Sequence, residues 1–174
     1  MENAYLRRAG VEDEATCMRI LEEGRAFQRS QGFVQWSDGY PAICDVRSDI
    51  AKGIGHLLMI DGQEAGYVCL DPDGEPEYPG IRGAWHRDEP YIVIRRISFS
   101  SAYAGRGLSR LMFSSIDRHC LGCGSGYLRV NTGKENLRMQ HALSNAGYEY
   151  CGIVVLEGIE RLAYDRTVDP DMVF

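Results

Sequence analysis

The chain has 174 residues, 44% apolar and 25% charged, which is the length of one domain and a globular composition, so a single domain over residues 1–174 is expected and a disordered tail protein is argued against. With 25 acids against 19 bases and a net charge of −6, general affinity for nucleic acid or an anionic membrane is not expected, and any anion site must be local. No apolar run approaches the ~20 residues of a membrane helix, and the opening MENAYLRRAGVEDEA carries charges where a signal peptide is apolar, so a cytoplasmic protein is expected.

Ala4 to Ala9 alternates and predicts a strand. Val11 to about Ser30 predicts a helix. Glu12, Asp13 and Glu14 suit the positive end of its dipole, and Cys17, Ile20, Leu21, Gly24 and Phe27 recur near one face. Gly32 ends it. Phe33 to Trp36 leads into the turn chemistry of Ser37-Asp38-Gly39-Tyr40-Pro41, and Pro41 is expected to open a second helix through about Lys52. His56–Asp61 and Gln63–Leu70 predict two strands joined by an Asp61-Gly62 hairpin turn. The stretch 71–90, rich in Pro, Gly and acids, predicts a long surface loop of the kind that often carries function. Tyr91–Phe99, YIVIRRISF, is the strongest strand signal.

The second half alternates differently. Gly107 to about Cys120 predicts a helix with Leu108, Leu111, Met112, Ser115 and Ile116 on one face. Gly122, Gly124 and Gly126 predict a flexible turn, and Tyr127–Asn131 a strand. Asn136–Ala146 predicts a short helix closed by Gly147. Tyr148–Leu156 predicts a strand with Ile159–Asp165 as its antiparallel partner. This order predicts an α/β fold, a mixed central sheet of about seven strands with helices on both faces.

The cysteines are spread out. Cys17, Cys69 and Cys151 fall within apolar patterns, as buried thiols do. Cys120-x-x-Cys123 follows a helix and has no second ligand pair elsewhere in the chain, so neither a zinc site nor a thioredoxin-type motif is expected, and no metal is. His56, His86, His119 and His141 are expected to hold ordinary surface or core roles.

The chemistry concentrates in Arg95–Met112, RRISFSSAYAGRGLSRLM. A strand runs into a small-residue loop, then a helix opens at Gly107-Leu108. Glycines let a ligand approach the backbone, and the first turn of a helix offers N–H groups with no intrahelical acceptor. Together they suit a pyrophosphate, with Arg106 and Arg110 adding charge. The alternative is a flexible helix start with two solvated arginines. The chain holds no GxxxxGK[ST] and no dinucleotide fingerprint.

The strand–AYAGRGLS–helix resembles the acetyl-CoA signature of the GNAT superfamily of N-acetyltransferases, Q/R-x-x-G-x-G/A. Gly105, Arg106 and Gly107 fit. Ala104 stands where Gln or Arg is usual, and Ser109 where Gly or Ala is usual. YLRVNTGKENLRMQHALSNAGYEYCGI resembles the family's strand–loop–helix–strand segment, with Asn136 opening the helix and Gly147-Tyr148 closing it. The order of elements matches from Tyr5 to about Asp165. Gln35-Trp36, Tyr40-Pro41 and Asp49-Ile50 are similar to a bacterial branch of poorly defined substrates.

The resemblance implies acetyl-CoA as cosubstrate and a bulged strand at Tyr91–Phe99. Backbone groups of that strand over Ile97, Ser98 and Phe99 would hold the pantetheine. Amides from Ala104 through Gly105, Arg106, Gly107, Leu108 and Ser109, with Arg110 close by, would hold the pyrophosphate. Asn136 would bond the pantetheine arm, serve as a helix N-cap, or both. A backbone amide of the bulged strand, Ile97, would hold the developing oxyanion. Glu89 is the candidate base, ahead of Glu75, Glu77 and Asp88. Trp36 and Tyr40 would wall a pocket for a cationic amine or simply pack. Many members have a tyrosine acid seven residues after the helix-opening asparagine, and here that position is Leu143.

Three functions are therefore carried forward. The first is N-acetyl transfer to a primary amine of a small molecule in a ternary complex. The second is acetylation of a protein N-terminus or lysine. The third, motivated by Leu143, is a non-catalytic CoA-binding sensor. A homodimer is the default expectation because symmetric dimers are the commonest oligomers.

Overall fold

The computed structural model describes residues 3–172. Its strands are β1 (Ala4–Arg8), β2 (Gly55–Ile60), β3 (Gln63–Asp71), β4 (Arg82–Gly83), β5 (Ile92–Phe99), β6 (Tyr127–Gly133), β7 (Glu149–Leu156) and β8 (Ile159–Thr167). Its helices are α1 (Glu14–Ser30), α2 (Ile43–Lys52), α3 (Leu108–Gly122) and α4 (Leu137–Asn145). The eight strands form one mixed sheet in the order β1-β2-β3-β5-β6-β8-β7-β4. By its internal contacts the chain divides into two units, Met1–Leu70 with Arg95–Ile116, and Asp71–Ile94 with Asp117–Phe174. Among the described residues no helix is long and apolar enough to cross a membrane.

In the first unit β1, β2 and β3 form an antiparallel meander. Asp61 and Gly62 take φ of 49° and 81°, the two left-handed positions that a tight hairpin turn demands. The helix expected from Val11 begins instead with a 3-10 turn over Val11–Asp13. Asp13 folds that turn back, accepting from Gly10 N–H at 2.8 Å and pairing with Arg7 at 2.8 Å. The Arg7 hydrogen bond, helped by that amide, holds the Asp13 carboxyl below its usual range despite burial. Helix α2 opens at Ile43, not at Pro41. Ala42 is extended, and its N–H donates to Asp45 Oδ2 at 2.7 Å, which caps the helix two residues later than the proline suggested.

Strand alternation sorts this unit's core. Leu57, Met59, Tyr67 and Cys69 cluster with Cys17, Ile20 and Leu21 of α1 and Val46 of α2. On the opposite face Gly66 leaves room for α3, since a Cβ there would stand 3.1 Å from Met112 Cε. Each large apolar side chain buried this way contributes about 1.5–3 kcal/mol, so packing rather than propensity fixes both helices.

In the second unit β6 pairs with β8, and β8 with β7, all antiparallel, while Ile92–Ile94 of β5 pairs in parallel with Leu128–Val130. The stretch 71–90 is not the bare loop expected. It holds a 3-10 turn over Tyr78–Gly80 and the two-residue β4, the eighth strand where about seven were expected. Strand β4 crosses β7 at Gly83 and Gly152, and a Cβ on either would overlap the other backbone. Aromatic burial fastens the rest of the stretch. Tyr78 is fully buried with its ring 4.8 Å from Trp85 and 6.1 Å from Tyr91. The Arg129 guanidinium lies 4.3 Å from the Trp85 centroid and 4.0 Å from that of Tyr91, a cation–π arrangement, and donates to Arg87 O at 2.7 Å.

Candidate active site

Strand β5 breaks its extended run at Arg96, whose φ is 54°. A non-glycine residue held there costs about 1–3 kcal/mol, so its surroundings must enforce it. Asp49 of α2 does so. Arg96 donates through Nε to Asp49 Oδ2 at 3.1 Å and through Nη2 to Oδ1 at 2.5 Å. Its Nη1 donates to the Tyr40 hydroxyl at 3.0 Å. The Tyr67 hydroxyl donates to the same carboxylate at 2.5 Å. Burial is the largest influence and works against the Arg96 charge, but the Asp49 hydrogen bonds together with the charge interactions of Tyr40, Cys69 and Asp49 outweigh it and its pKa rises. Burial and the Asp49 charge raise Tyr67 as well, so it stays a neutral donor.

Below this bulge Ser100 N–H donates to Ala65 O of β3 at 2.9 Å. An extended chain alternates its hydrogen-bonding edge, so Phe99 and Ile97 present their amides and carbonyls to the edge away from β3. The Ser98 side chain turns to α1, donating to Ile20 O at 2.7 Å. The chain then makes a 3-10 turn over Ser101–Tyr103. Glu23 of α1 anchors it, accepting from Ser101 N–H at 3.3 Å and Ser101 Oγ at 3.1 Å.

From that anchored root the loop opens outward. Gly105 and Gly107 take φ of 79° and 67°, and a Cβ on either would meet nothing within 4 Å. Left-handed residues in a short loop turn successive amides to one side, which makes an anion-binding concavity. Leu108 is buried and seats the start of α3, and Leu111 N–H makes an early helical bond to Gly107 O. The amides of Leu108, Ser109 and Arg110 thus stand at the positive end of the helix. Arg106 and Arg110 are exposed, and the Arg106 guanidinium lies 5.1 Å from the Tyr103 ring centroid. The first unit therefore brings together the predicted residues from Ile97 to Arg110. Trp36, also in this unit, is packed in its core beside Gly24, with its N–H donating to Gln28 Oε1 at 3.1 Å. Tyr40 is 38% exposed, so of the two aromatics it is the one that solvent and a ligand reach.

In the second unit Asn136 caps α4, its Oδ1 accepting from Met139 N–H at 3.1 Å. Leu143 is fully buried on that helix. Tyr148 lies just past it with its ring buried under the Arg166 guanidinium. Burial pushes the Tyr148 phenol well above its usual range. Glu89 is exposed, with Arg87 Nη1 at 3.9 Å.

The Asp49–Arg96–Tyr40–Tyr67 network and the Glu23 anchor are absent from the sequence expectations. One signal for the first was available: an arginine pair interrupting the apolar run YIVIRRISF. A charge inside a buried strand requires a partner, though the resemblance that marks Tyr40 and Asp49 does not say that Arg96 is what they bind.

Among solved structures the chain is similar to a GNAT-family acetyltransferase from Streptococcus agalactiae. The two are 33% identical over 95% of this chain and 96% of that one, with a TM-score of 0.87. A GNAT-family acetyltransferase from Listeria monocytogenes is 17% identical over 94% of each chain, with a TM-score of 0.74. Aminoglycoside acetyltransferase AAC(6')-Ib, solved with coenzyme A and kanamycin, is 17% identical over 95% of each chain, with a TM-score of 0.69. At those lower identities the last two speak for the fold alone. No family model and no curated protein matches the sequence.

Proposed function

The chain belongs to the GNAT family of acetyltransferases, which makes it an acyltransferase, and from that premise we propose that it moves the acetyl group of acetyl-CoA to a primary amine of a small molecule. The observation that carries this reading is the pairing, in one unit, of a bulged strand with an open two-glycine loop at a helix N-terminus. Amides of residues 104–109 take the pyrophosphate, Arg106 and Arg110 screen its charge, and Ile97 and Phe99 pair with the pantetheine through the edge turned from β3.

The amine nitrogen attacks the thioester carbonyl. A C–N bond forms, the C–S bond breaks, and the CoA sulfur leaves as thiolate. The Ile97 amide holds the oxyanion, a role whose loss typically costs about 10²–10³ in rate. A general base takes the ammonium proton, directly or through water. With a buried leucine at position 143, the thiolate leaves without a tyrosine acid at that position. The acceptor is assigned to small amines because an aminoglycoside acetyltransferase shares the fold, and because Tyr40 offers an exposed aromatic edge tied to the bulge through Arg96.

The test is to incubate the full chain with acetyl-CoA and separate panels of aminoglycosides, polyamines, amino acids and peptides, and to follow free thiol. Thiol release that depends on a small amine supports the proposal. Release with peptides alone transfers the assignment to protein acetylation.

A further inference from the structure

Three side chains far apart in sequence, none of them given a role above, meet in the second unit. His86 Nδ1 lies 2.7 Å from Asp165 Oδ1 and 3.4 Å from Cys151 Sγ. The His nitrogen, the Cys sulfur and a carboxylate oxygen of Asp165 all lie within 4.8 Å of one another. The backbone explains why. Glu149 of β7 stands directly opposite Asp165 of β8, and Cys151 is the extra residue where the β7–β8 register shifts between Tyr150 and Gly152, an irregularity of the kind that re-aims a side chain. Strand β4 runs along β7, with Ala84 N–H donating to Cys151 O at 3.0 Å, and two residues later it delivers His86 to the same place.

We propose that His86, Cys151 and Asp165 form a binding site for one zinc-type divalent cation. A nucleophile triad is the competing use of these residues, and the geometry opposes it. In a triad the histidine uses one nitrogen for the carboxylate and the other for the nucleophile, whereas here Asp165 and Cys151 both address Nδ1. Convergence of all three donor atoms on one point is what a cation requires. Tetrahedral zinc with S, N and O ligands spaces those atoms by roughly 3.3–3.6 Å. The S···N distance of 3.4 Å is already there. The N···O distance of 2.7 Å must open by about 0.6 Å, a small rotation of a ring that is 48% exposed.

The outer hydrogen bonds strengthen this assignment, since metal-binding groups are oriented by partners on their remaining atoms. Asp165 Oδ2 accepts from the Tyr127 hydroxyl at 2.6 Å and from His86 N–H at 2.8 Å, which leaves Oδ1 as the ligand. His86 Nε2 lies 3.3 Å from Glu149 Oε2. A histidine that binds through Nδ1 carries its proton on Nε2, and Glu149 is placed to accept it. Asp165 and Cys151 are buried while the His86 side is open, so the fourth position is reached by water. On binding, the Cys151 S–H gives its proton to water and the thiolate becomes the ligand. The His86 ring proton moves from Nδ1 to Nε2, and one proton is released in all. The cation would clip the 71–90 stretch to β7 and β8.

The test is cobalt(II) and zinc(II) titration of the reduced, metal-stripped full chain. Cys44 and Cys123 are exposed, and Cys123 Sγ lies 3.8 Å from His119 Nε2, so both are replaced by serine in the background. One equivalent of cobalt with a thiolate charge-transfer band supports the site, provided the band vanishes in Cys151→Ser. His86→Gln, a change at the exposed ring that spares the strands, should weaken binding at least tenfold. Glu149→Gln should weaken it by about 10–100-fold, as loss of an outer partner does. No charge-transfer band, or the same band in Cys151→Ser, overturns the proposal.

Discussion

Removing the Arg96 side chain tests whether Asp49 enforces the bulge of β5. Arg96→Ala leaves a carboxylate with 3% side-chain exposure facing only the Tyr67 hydroxyl among the contacts that bind it here. Removing one partner of a buried ion pair costs about 3–5 kcal/mol, because the other charge stays desolvated. For a chain of this length 1 kcal/mol moves the thermal midpoint by about 2–4 °C, so a fall of roughly 6–20 °C is expected. Arg96→Gly loses the same hydrogen bonds but carries no Cβ into the left-handed region. It should therefore be more stable than Arg96→Ala by about 1 kcal/mol. Adding Asp49→Ala to Arg96→Ala removes the stranded charge, and the double variant should lose less than the sum of the single losses. Urea unfolding followed by circular dichroism measures all four. A wild-type midpoint for Arg96→Ala, or an alanine variant at least as stable as the glycine one, refutes the account of the bulge.

The glycine loop is tested by a matched pair. Gly107→Asp should abolish the thermal stabilisation by CoA, whereas Gly107→Asn, equal in shape and tolerant of positive φ, should keep part of it. Equal stabilisation of both variants by CoA would remove the anion site from this loop. Tyr148→Phe keeps the buried ring and loses only the hydroxyl, so turnover on an active amine should stay within about tenfold, and a loss beyond a hundredfold would make Tyr148 the missing acid. Burial raises the Asp117 carboxyl to about 6 in spite of Arg166, so between roughly pH 4 and 6 the folded chain holds a proton that the unfolded chain has released. Its contribution to stability then falls as pH rises through that window. Thermal midpoints across the window should show a shallower decline in Asp117→Asn, and an unchanged slope would contradict the assignment.

Local chemistry was the legible part of this chain. The 3.6-residue recurrence of Cys17, Ile20 and Leu21 marks α1 because these residues do meet one core face. Asp61-Gly62 marks a turn because both positions need positive φ. Asn136 and Gly147 bracket α4 because caps act within a few residues. Gly105 and Gly107 are readable for the same reason: φ and steric openness belong to the residue itself. Where a feature depends on a partner far along the chain, the pattern fades. Strand β4 is two residues long and exists because β7 offers it an edge at Gly152, and nothing in Arg82-Gly83 announces that.

The same distinction separates the two halves of the candidate chemistry. An anion cradle is made of backbone, so its signature is a short run of sequence. A site made of side chains needs only that the fold bring them together, and 47 residues separate Asp49 from Arg96. His86 and Cys151 are 65 apart, and His86 and Asp165 are 79 apart. At those separations no spacing rule applies. Buried charge is then the better guide, because desolvation obliges each buried ionised group to find a partner. Arg96, interrupting an apolar strand, is the residue that such a search would start from. Following its hydrogen bonds leads to Asp49 on one side and to Tyr40 on the other, and so from the bulge to the exposed aromatic proposed to meet the acceptor.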